Sequence, residues 1–599
     1  MKKDKREISS KDSDQRAIAS ESAAEPERRR FGLNWFEYLI APLVSALAGV
    51  WAFGHIGTSI GWDDLFYMSL SQYTTKEAWV LNRYGHVYLQ KFFFWLAGDA
   101  LAGAKLYWCF LFFSTCVLVY WCARMLAGKR GYAVGIVAVL LFCSAPIFAQ
   151  YAGSTDADLT VMFLVMLATF VYLIFFVNRH GRYRHFVIML LGLMLFWSIK
   201  SKETGLCMAV LFLGLGEDET GKFSIARFIR DIGWVCVGVA AGSVLLMSLD
   251  LIFIRDFWFS VRPSSIRGLF KFNTGEYAWH DKGTSWFQFL LISPLLTAFL
   301  LYLLVGRMPF GRNRLTKHEG IVWCIPLVFV FFLTAVMIQI RTFAVPSTQR
   351  YLLPVIAGIC VWAAQFFRLG PMEPDQAEVK SKTDGFPLEI LIDTVLVVLA
   401  FAIVLFLMHT IPDLIKNAGW SSLERFYDTV ISPLAITGLL LYAVVLRKRG
   451  RVALFVLSLC LFFIIYFPLR STLTSLKERI AAQRSEWRYE PCRVFANELS
   501  FDKDVKIVVS KNIYASSNML GRGLDSHCWM FNVFFNGKFD VNQFIDGTWD
   551  DILKGNYTYA FLTWKDWKGI TEKYNIEQLV KNYAIKADEA TQVVLLKRR

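Results

Sequence analysis

Apolar residues gather into long runs divided by short polar stretches, and most runs have the roughly 17–25 residues that cross a bilayer as a helix. About thirteen are counted by this pattern: residues 35–53, 105–126, 132–148, 159–177, 186–199, 205–216, 231–254, 286–305, 321–340, 351–367, 388–408, 429–446 and 452–467. Two of them, 186–199 and 205–216, are short and flank a polar break, which predicts shallow or broken helices there. The stretch 87–98 is too short to cross and rich in aromatic residues. It predicts a helix lying in the outer interface, where Trp and Tyr partition.

After Arg470 the pattern changes. An amphipathic helix over 471–487 precedes strand-like runs at 505–510, 532–535, 557–563 and 592–596, with helix or loop such as 570–582 between them. That alternation predicts a small α/β domain. At the other end, residues 1–30 are charged and rich in Ser, Ala and Glu. They lack the apolar surface needed to order a segment, so a disordered tail is expected. Three units follow: a tail (1–30), a membrane region (31–469) and an exported α/β domain (470–599).

Composition strengthens the membrane reading: 55% of the 599 residues are hydrophobic and the mean hydropathy is +0.41. The net charge of +15 would suggest nucleic acid in a soluble chain, but its placement follows topology. Basic residues crowd the N-terminal arm and every second short loop: Arg124/Lys129/Arg130, Arg179/Arg182/Arg184, Lys222/Arg227/Arg230, Arg307/Arg312/Arg314/Lys317 and Arg447/Lys448/Arg449/Arg451. This is the positive-inside bias, which sets the N-terminus in the cytoplasm. An odd number of spans then exports everything after Phe467, so no nucleic-acid partner is expected. The first apolar run lacks a small-residue cleavage site and reads as a retained span of the cytoplasmic membrane. Of the eleven cysteines, Cys492 and Cys528 fall in the exported tail; spacing alone leaves open whether they form a disulfide. No zinc-ligand spacing and no Gly-rich phosphate loop occurs, and Asn556 opens a glycosylation sequon by pattern only.

Against this apolar background the charged groups of the outer side stand out. Asp63 and Asp64 follow the first span, Asp156 and Asp158 lie after the third, Lys202 and Glu203 sit at the break between the short runs, and Arg350 and Tyr351 open the tenth. Charge at membrane depth is costly and persists mainly where it does work, although an acid at a helix N-terminus is also favoured by the macrodipole. The long loop 255–285 carries Arg255, Arg262, Arg267, Lys271, His280 and Asp281 among Phe and Trp. It is either a solvated loop or a place where an anion is held. Together these residue types suit transfer of a sugar from a polyprenyl phosphate. Arginine grips phosphate oxygens with a planar fork, a carboxylate within hydrogen-bond reach deprotonates the acceptor hydroxyl, and one in-line displacement inverts the anomeric centre.

In this order (Asp63-Asp64, Asp156-x-Asp158, Lys202-Glu203, then Arg350-Tyr351-Leu352-Leu353-Pro354) the chain resembles the GT-C superfamily of membrane glycosyltransferases, nearest the protein O-mannosyltransferase and lipid A aminoarabinose transferase branch. The resemblance implies a polytopic helical GT-C fold of about thirteen spans, with a small exported C-terminal α/β domain. It implies Asp63 as catalytic base with Asp64 supporting it, Asp156 or Asp158 lining the cavity, and Arg350 and Lys202 on the lipid phosphate. Asn82-Arg83-Tyr84-Gly85-His86 lies where many relatives carry a Lys-Pro-Pro-like stretch. This chain lacks those prolines, so Arg83 and His86 are donor-phosphate candidates by position alone. No cofactor is expected, since this branch resembles members that need no metal; a divalent cation, if bound, would take the carboxylates of Asp63, Asp156 and Asp158. The implied partners are a polyprenyl-phosphate sugar donor, a lipid, glycan or protein acceptor, and the bilayer. The rival readings are a transporter or flippase of lipid-linked sugars, for which no internal repeat is found, and a polysaccharide polymerase or ligase.

Overall fold

The structure, a computed structural model, describes residues 83–127, 131–145, 156–177, 183–217, 222–262, 353–365 and most of 549–599, with shorter pieces between 39 and 71, 320 and 328, 395 and 402, 455 and 459, and 495 and 509. Its membrane-type part runs α1 (Tyr84–Ala97), α2 (Ala100–Ala127), α3 (Gly131–Ser144), α4 (Ala157–Tyr172, continued by a π-helical turn, Leu173–Val177), α5 (Arg184–Ser201), a 3₁₀ segment (Glu203–Gly214), α6 (Ile225–Ile254), a 3₁₀ turn (Phe259–Val261) and α7 (Leu353–Gln365). Among the described residues, the helices based on α2, α4, α5 and α6 are long and apolar enough to cross a membrane.

The apolar runs at 105–126, 132–148, 159–177, 231–254 and 351–367 became α2, α3, α4, α6 and α7. The run 186–199 was expected to be a shallow or broken helix; it is instead a full 18-residue helix, α5. Its apolar stretch is extended by Arg184 at one end and by Lys200 and Ser201 at the other, and the last two are buried. The polar break is real: Lys202 is extended (φ −166, ψ 145), and the following segment is a 3₁₀ helix. The runs at 35–53, 286–305, 321–340, 388–408, 429–446 and 452–467 lie wholly or largely outside the described residues, as do 471–487, Cys492 and Cys528.

Burial sorts the helices. In α4, 72% of the apolar window is enclosed by neighbours, against 33% in α6. So α4 is central, while α6 turns Val237, Val244, Leu245, Ile252 and Phe253 outward. Apolar side chains on the open face of a 30-residue helix suit contact with lipid tails, which take the place of a protein core. One large apolar cluster joins α2, α3, α4, α5, the 3₁₀ segment and α7 around Trp108, Tyr120, Phe142, Tyr172 and Trp362.

Helices α5 and α6 meet along a seam of small residues. A Cβ at Gly192 would collide with the Val235 carbonyl, and one at Gly238 with the Met189 carbonyl. Without a hydrophobic drive between helices in lipid, such close backbone approach supplies the dispersion contacts that hold them together. The seam is closed at one end by a contact between Arg184 and Asp231, whose carboxylate also accepts from the Gly216 amide at 3.0 Å.

The C-terminal part contains a four-stranded mixed sheet of order β1-β2-β4-β3, built from Ile507–Val509, Tyr559–Thr563, Tyr583–Asp588 (β3) and Val593–Arg598 (β4). The pair β1/β2 is parallel and the other two pairs are antiparallel. Three short helices, α8 (Trp549–Leu553), α9 (Trp564–Lys573) and α10 (Ile576–Asn582), accompany it. Helix α9 starts with a capping box in which Thr563 and Asp566 satisfy each other's backbone amides, so two orphan N–H groups find acceptors. The runs at 505–510 and 557–563 contain β1 and β2, and 592–596 covers all but the last two residues of β4, whereas 532–535 lies outside the described residues. Strand β3 was not anticipated. It is a half-exposed edge strand, and its YAIKAD sequence carries the charges that edges favour.

Candidate functional site

Three helix ends deliver charge to one region, beside the turn that follows α6. Arg83 precedes α1, and Asp156 is the N-cap of α4 with Asp158 in its first turn. Lys202 and Glu203 form the break after α5, and the chain leaving α6 returns through the turn Phe259–Val261. The charges of this group sit at helix termini, where unpaired backbone groups and other chain ends supply polar partners.

Lys202 and Asp158 are both buried and make an ion pair with Nζ 2.5 Å from Oδ2. Two ions taken out of water are tolerated in this way when each neutralises the other; removing one would strand the second at a cost of about 3–5 kcal/mol. Beside them, Arg83 approaches Glu203 at 3.8 Å, with both side chains about a quarter exposed, and also contacts the Tyr67 hydroxyl. That longer, partly open pair is the weaker of the two. Burial disfavours the Arg83 charge, yet Tyr67, Glu203, Asp156 and Asp158 outweigh it and hold the guanidinium firmly protonated. Burial likewise pushes the Glu203 carboxyl up, but Arg83 and Lys202 prevail and set it below the ordinary carboxylate range. Asp156, also buried, contributes to the field at both groups. Two cations and three carboxylates thus share this end of the bundle.

His86 is buried in the first turn of α1. Its Nδ1 lies 2.7 Å from Thr160 Oγ1 and 3.1 Å from the Tyr107 hydroxyl, and its ring meets Tyr67 edge-on at 4.9 Å. It therefore ties α1 to α2 and α4 behind Arg83. The structure brings together Arg83, Asp156, Asp158, Lys202 and Glu203, with His86 packed against them through Tyr67 and Thr160. Arg262 is not in that group: it is half exposed and paired with Asp256 at 2.5 Å. Asp63, Asp64, Arg267, Arg350 and Tyr351 lie outside the described residues.

The sequence reading passed over a second set. Asp250, buried in α6, accepts from the Tyr88 hydroxyl (2.6 Å), the Ser260 hydroxyl (2.9 Å) and the Ser260 amide (3.0 Å). Lys200 donates to the Ser260 carbonyl at 2.5 Å. The signal was available, since an acid inside the apolar run 231–254 is costly unless it has a task. Among the described residues, no three His, Cys, Asp or Glu side chains converge as a metal site.

No family model matches the chain, and no curated protein matches it. Among solved structures, the crystal structure of ArnT from Cupriavidus metallidurans bound to undecaprenyl phosphate matches over 92% of this chain and 97% of that chain, with a TM-score of 0.50 and 15% sequence identity. At that identity the likeness is one of fold. The chain has an ArnT-like, polytopic membrane fold, as the succession of apolar runs and the resemblance to GT-C enzymes implied.

Proposed function

We propose that this chain is an inverting membrane glycosyltransferase that moves a hexose or pentose from a polyprenyl phosphate to a hydroxyl of a lipid, glycan or protein acceptor on the outer face of the cytoplasmic membrane. The observation that carries this reading is the gathering of Arg83, Lys202, Asp156, Asp158 and Glu203 at one end of an apolar bundle. The fold shared with ArnT, a protein crystallised with undecaprenyl phosphate, supports a lipid phosphate as the ligand that such cations meet.

In this reading the lipid tail stays in the bilayer while the headgroup reaches the charged end. Arg83, loosely held by Glu203, turns its fork to the phosphate oxygens. Lys202 adds a point charge held in register by Asp158. Arg350 with Tyr351, its neighbour in sequence, and Arg262 and Arg267 of the segment after α6 are further phosphate candidates. Asp63, supported by Asp64, takes the proton of the acceptor hydroxyl. The new bond joins the acceptor oxygen to the anomeric carbon, the bond from that carbon to the phosphate oxygen breaks, and its electron pair leaves with the polyprenyl phosphate. The leaving phosphate needs no general acid, and no step uses a metal. The tail 1–30 is read as cytoplasmic, 31–469 as the catalytic membrane region and 470–599 as an exported α/β domain bordering the acceptor side.

The test is transfer from radiolabelled polyprenyl-phosphate sugars by the purified chain in vesicles. Asp63→Asn is expected to abolish transfer while donor binding persists; full turnover in that variant removes Asp63 as the base. Arg83→Gln and Arg350→Ala are expected to weaken donor binding, and unchanged affinity in both removes them from the phosphate site.

A further inference from the structure

Asp250, Ser260, Lys200 and Tyr88 form a buried cross-tie at the mouth of the bundle, distinct from the Lys202–Asp158 pair. Helix α6 ends at Arg255 in the left-handed conformation (φ 59), a backbone state costly for a side-chain-bearing residue. The chain then doubles back, so that Ser260, ten residues beyond Asp250, donates to it through both its amide and its hydroxyl. The Ser260 carbonyl accepts from Lys200. Tyr88 reaches the same carboxylate from α1, and Phe259 packs edge-on against Tyr84, one residue from Arg83, with centroids 5.2 Å apart.

Two elements that supply the charged site are therefore tied to this carboxylate, α1 directly through Tyr88 and the end of α5 through the Ser260 carbonyl, which accepts from Lys200. Lys200 precedes Lys202 by two residues, at the point where α5 stops. Tyr84 and Tyr88 belong to the helix that Arg83 opens. The turn 259–261 leads into Arg262. Stability alone is a poor reason for such a construction, because apolar residues of similar volume often replace buried ionic groups at no loss. Fixing geometry at a site is a use that an apolar contact would not serve as well, since directional bonds define one arrangement.

We propose that Asp250 is a positioning residue: through Ser260 and Lys200 it sets the break that presents Lys202 and Glu203, and through Tyr88 it sets the start of α1 that presents Arg83, so that lipid-phosphate engagement depends on it. The proposal rests on the transferase reading for its ligand, but not for its geometry.

The experiment uses the full chain in vesicles and three variants: Asp250→Asn, Ser260→Ala, and Asp250→Asn with Lys200→Met, which keeps the site free of an unbalanced buried charge. Undecaprenyl phosphate is the probe for affinity, and hydrogen exchange without ligand reports residues 199–204 and 257–262. The double variant is expected to melt near the wild type yet bind the probe at least about tenfold more weakly, with faster exchange in both segments. Ser260→Ala, which leaves both charges in place, is expected to shift affinity and exchange the same way by a smaller factor, and it decides the matter if Asp250→Asn fails to fold. Wild-type affinity and exchange in the double variant would reduce the pair to charge balance and overturn the proposal. Weaker binding with unchanged exchange would overturn it as well, since Asp250 would then act through its field and not by position. If the wild type itself ignores undecaprenyl phosphate, the transferase reading falls, and exchange alone decides the cross-tie: unaccelerated exchange in Asp250→Asn rejects it.

Discussion

Asp158 and Lys202 lie 44 residues apart in sequence and meet as a buried pair, so each is expected to fail differently when altered. Asp158→Asn strands the Lys202 ammonium and should destabilise the chain by about 3–5 kcal/mol, read as a drop in melting temperature. Adding Lys202→Met should restore most of that loss while leaving sugar transfer abolished. Glu203 gives a pH prediction. Its folded carboxyl is depressed below the ordinary value by Arg83 and Lys202, against burial. The stabilisation it contributes is therefore present above the unfolded pKa and is lost as pH falls through the lower folded one. Arg83→Gln removes a depressing cation and brings the folded carboxyl back toward its unfolded value, so the stability lost on acidification should be smaller than in the wild type, measured as melting temperature across the acid range; an undiminished loss would refute the coupling. At this scale the sequence made charges conspicuous because they interrupt apolar runs, and Asp156, Asp158, Lys202 and Glu203 were found that way, whereas Arg83 was a candidate only by the position that the family resemblance gave it. Their pairing was not legible, since it depends on which helix ends tertiary packing brings together. Asp250 shows the other failure: one acid within a long apolar run reads as an irregularity until its three donors are seen.

Among the described residues, helices fill the runs 105–126, 132–148, 159–177, 231–254 and 351–367, because backbone in lipid must satisfy its own hydrogen bonds, but their ends shifted: α3 and α7 are 14 and 13 residues long and α6 reaches 30. What failed was the conformation near the break, where buried Lys200 and Ser201 prolong α5 and the next segment winds as a 3₁₀ helix. Strand β3 was missed because half of it faces solvent and carries Lys586 and Asp588. The seam between α5 and α6 gives a sharper test. Gly238→Ala would push a methyl group into the Met189 carbonyl and should cost about 1–3 kcal/mol or more through forced separation of the helices, whereas Gly233→Ala, with open space around it, should be near neutral. Comparable melting temperatures for the two would show that the seam yields easily. In α9, Thr563→Ala removes the capping box and should cost about 1 kcal/mol, measured by chemical unfolding of the full chain.

At the scale of the molecule, the described apolar helices pack into one cluster and the charged groups of the proposed site lie at their ends. An apolar bundle with cations and carboxylates at one mouth fits a ligand that is itself half lipid and half charged headgroup. The likeness to ArnT over 92% of the chain at 15% identity is one of fold; under the proposed transferase reading, the sugar and the acceptor are set by residues that differ. The α5–α6 pair has a mechanical consequence. Arg184–Asp231 fastens it at one end, interlocking backbones fasten it at the middle, and Lys200–Ser260–Asp250 fastens it at the other, roughly 24 Å away at the rise of a helix. Helices pinned at three heights cannot slide past each other. In a thicker or thinner bilayer this pair must tilt as a single strut, so the spacing of groups at the headgroup level stays the same while the membrane around it varies.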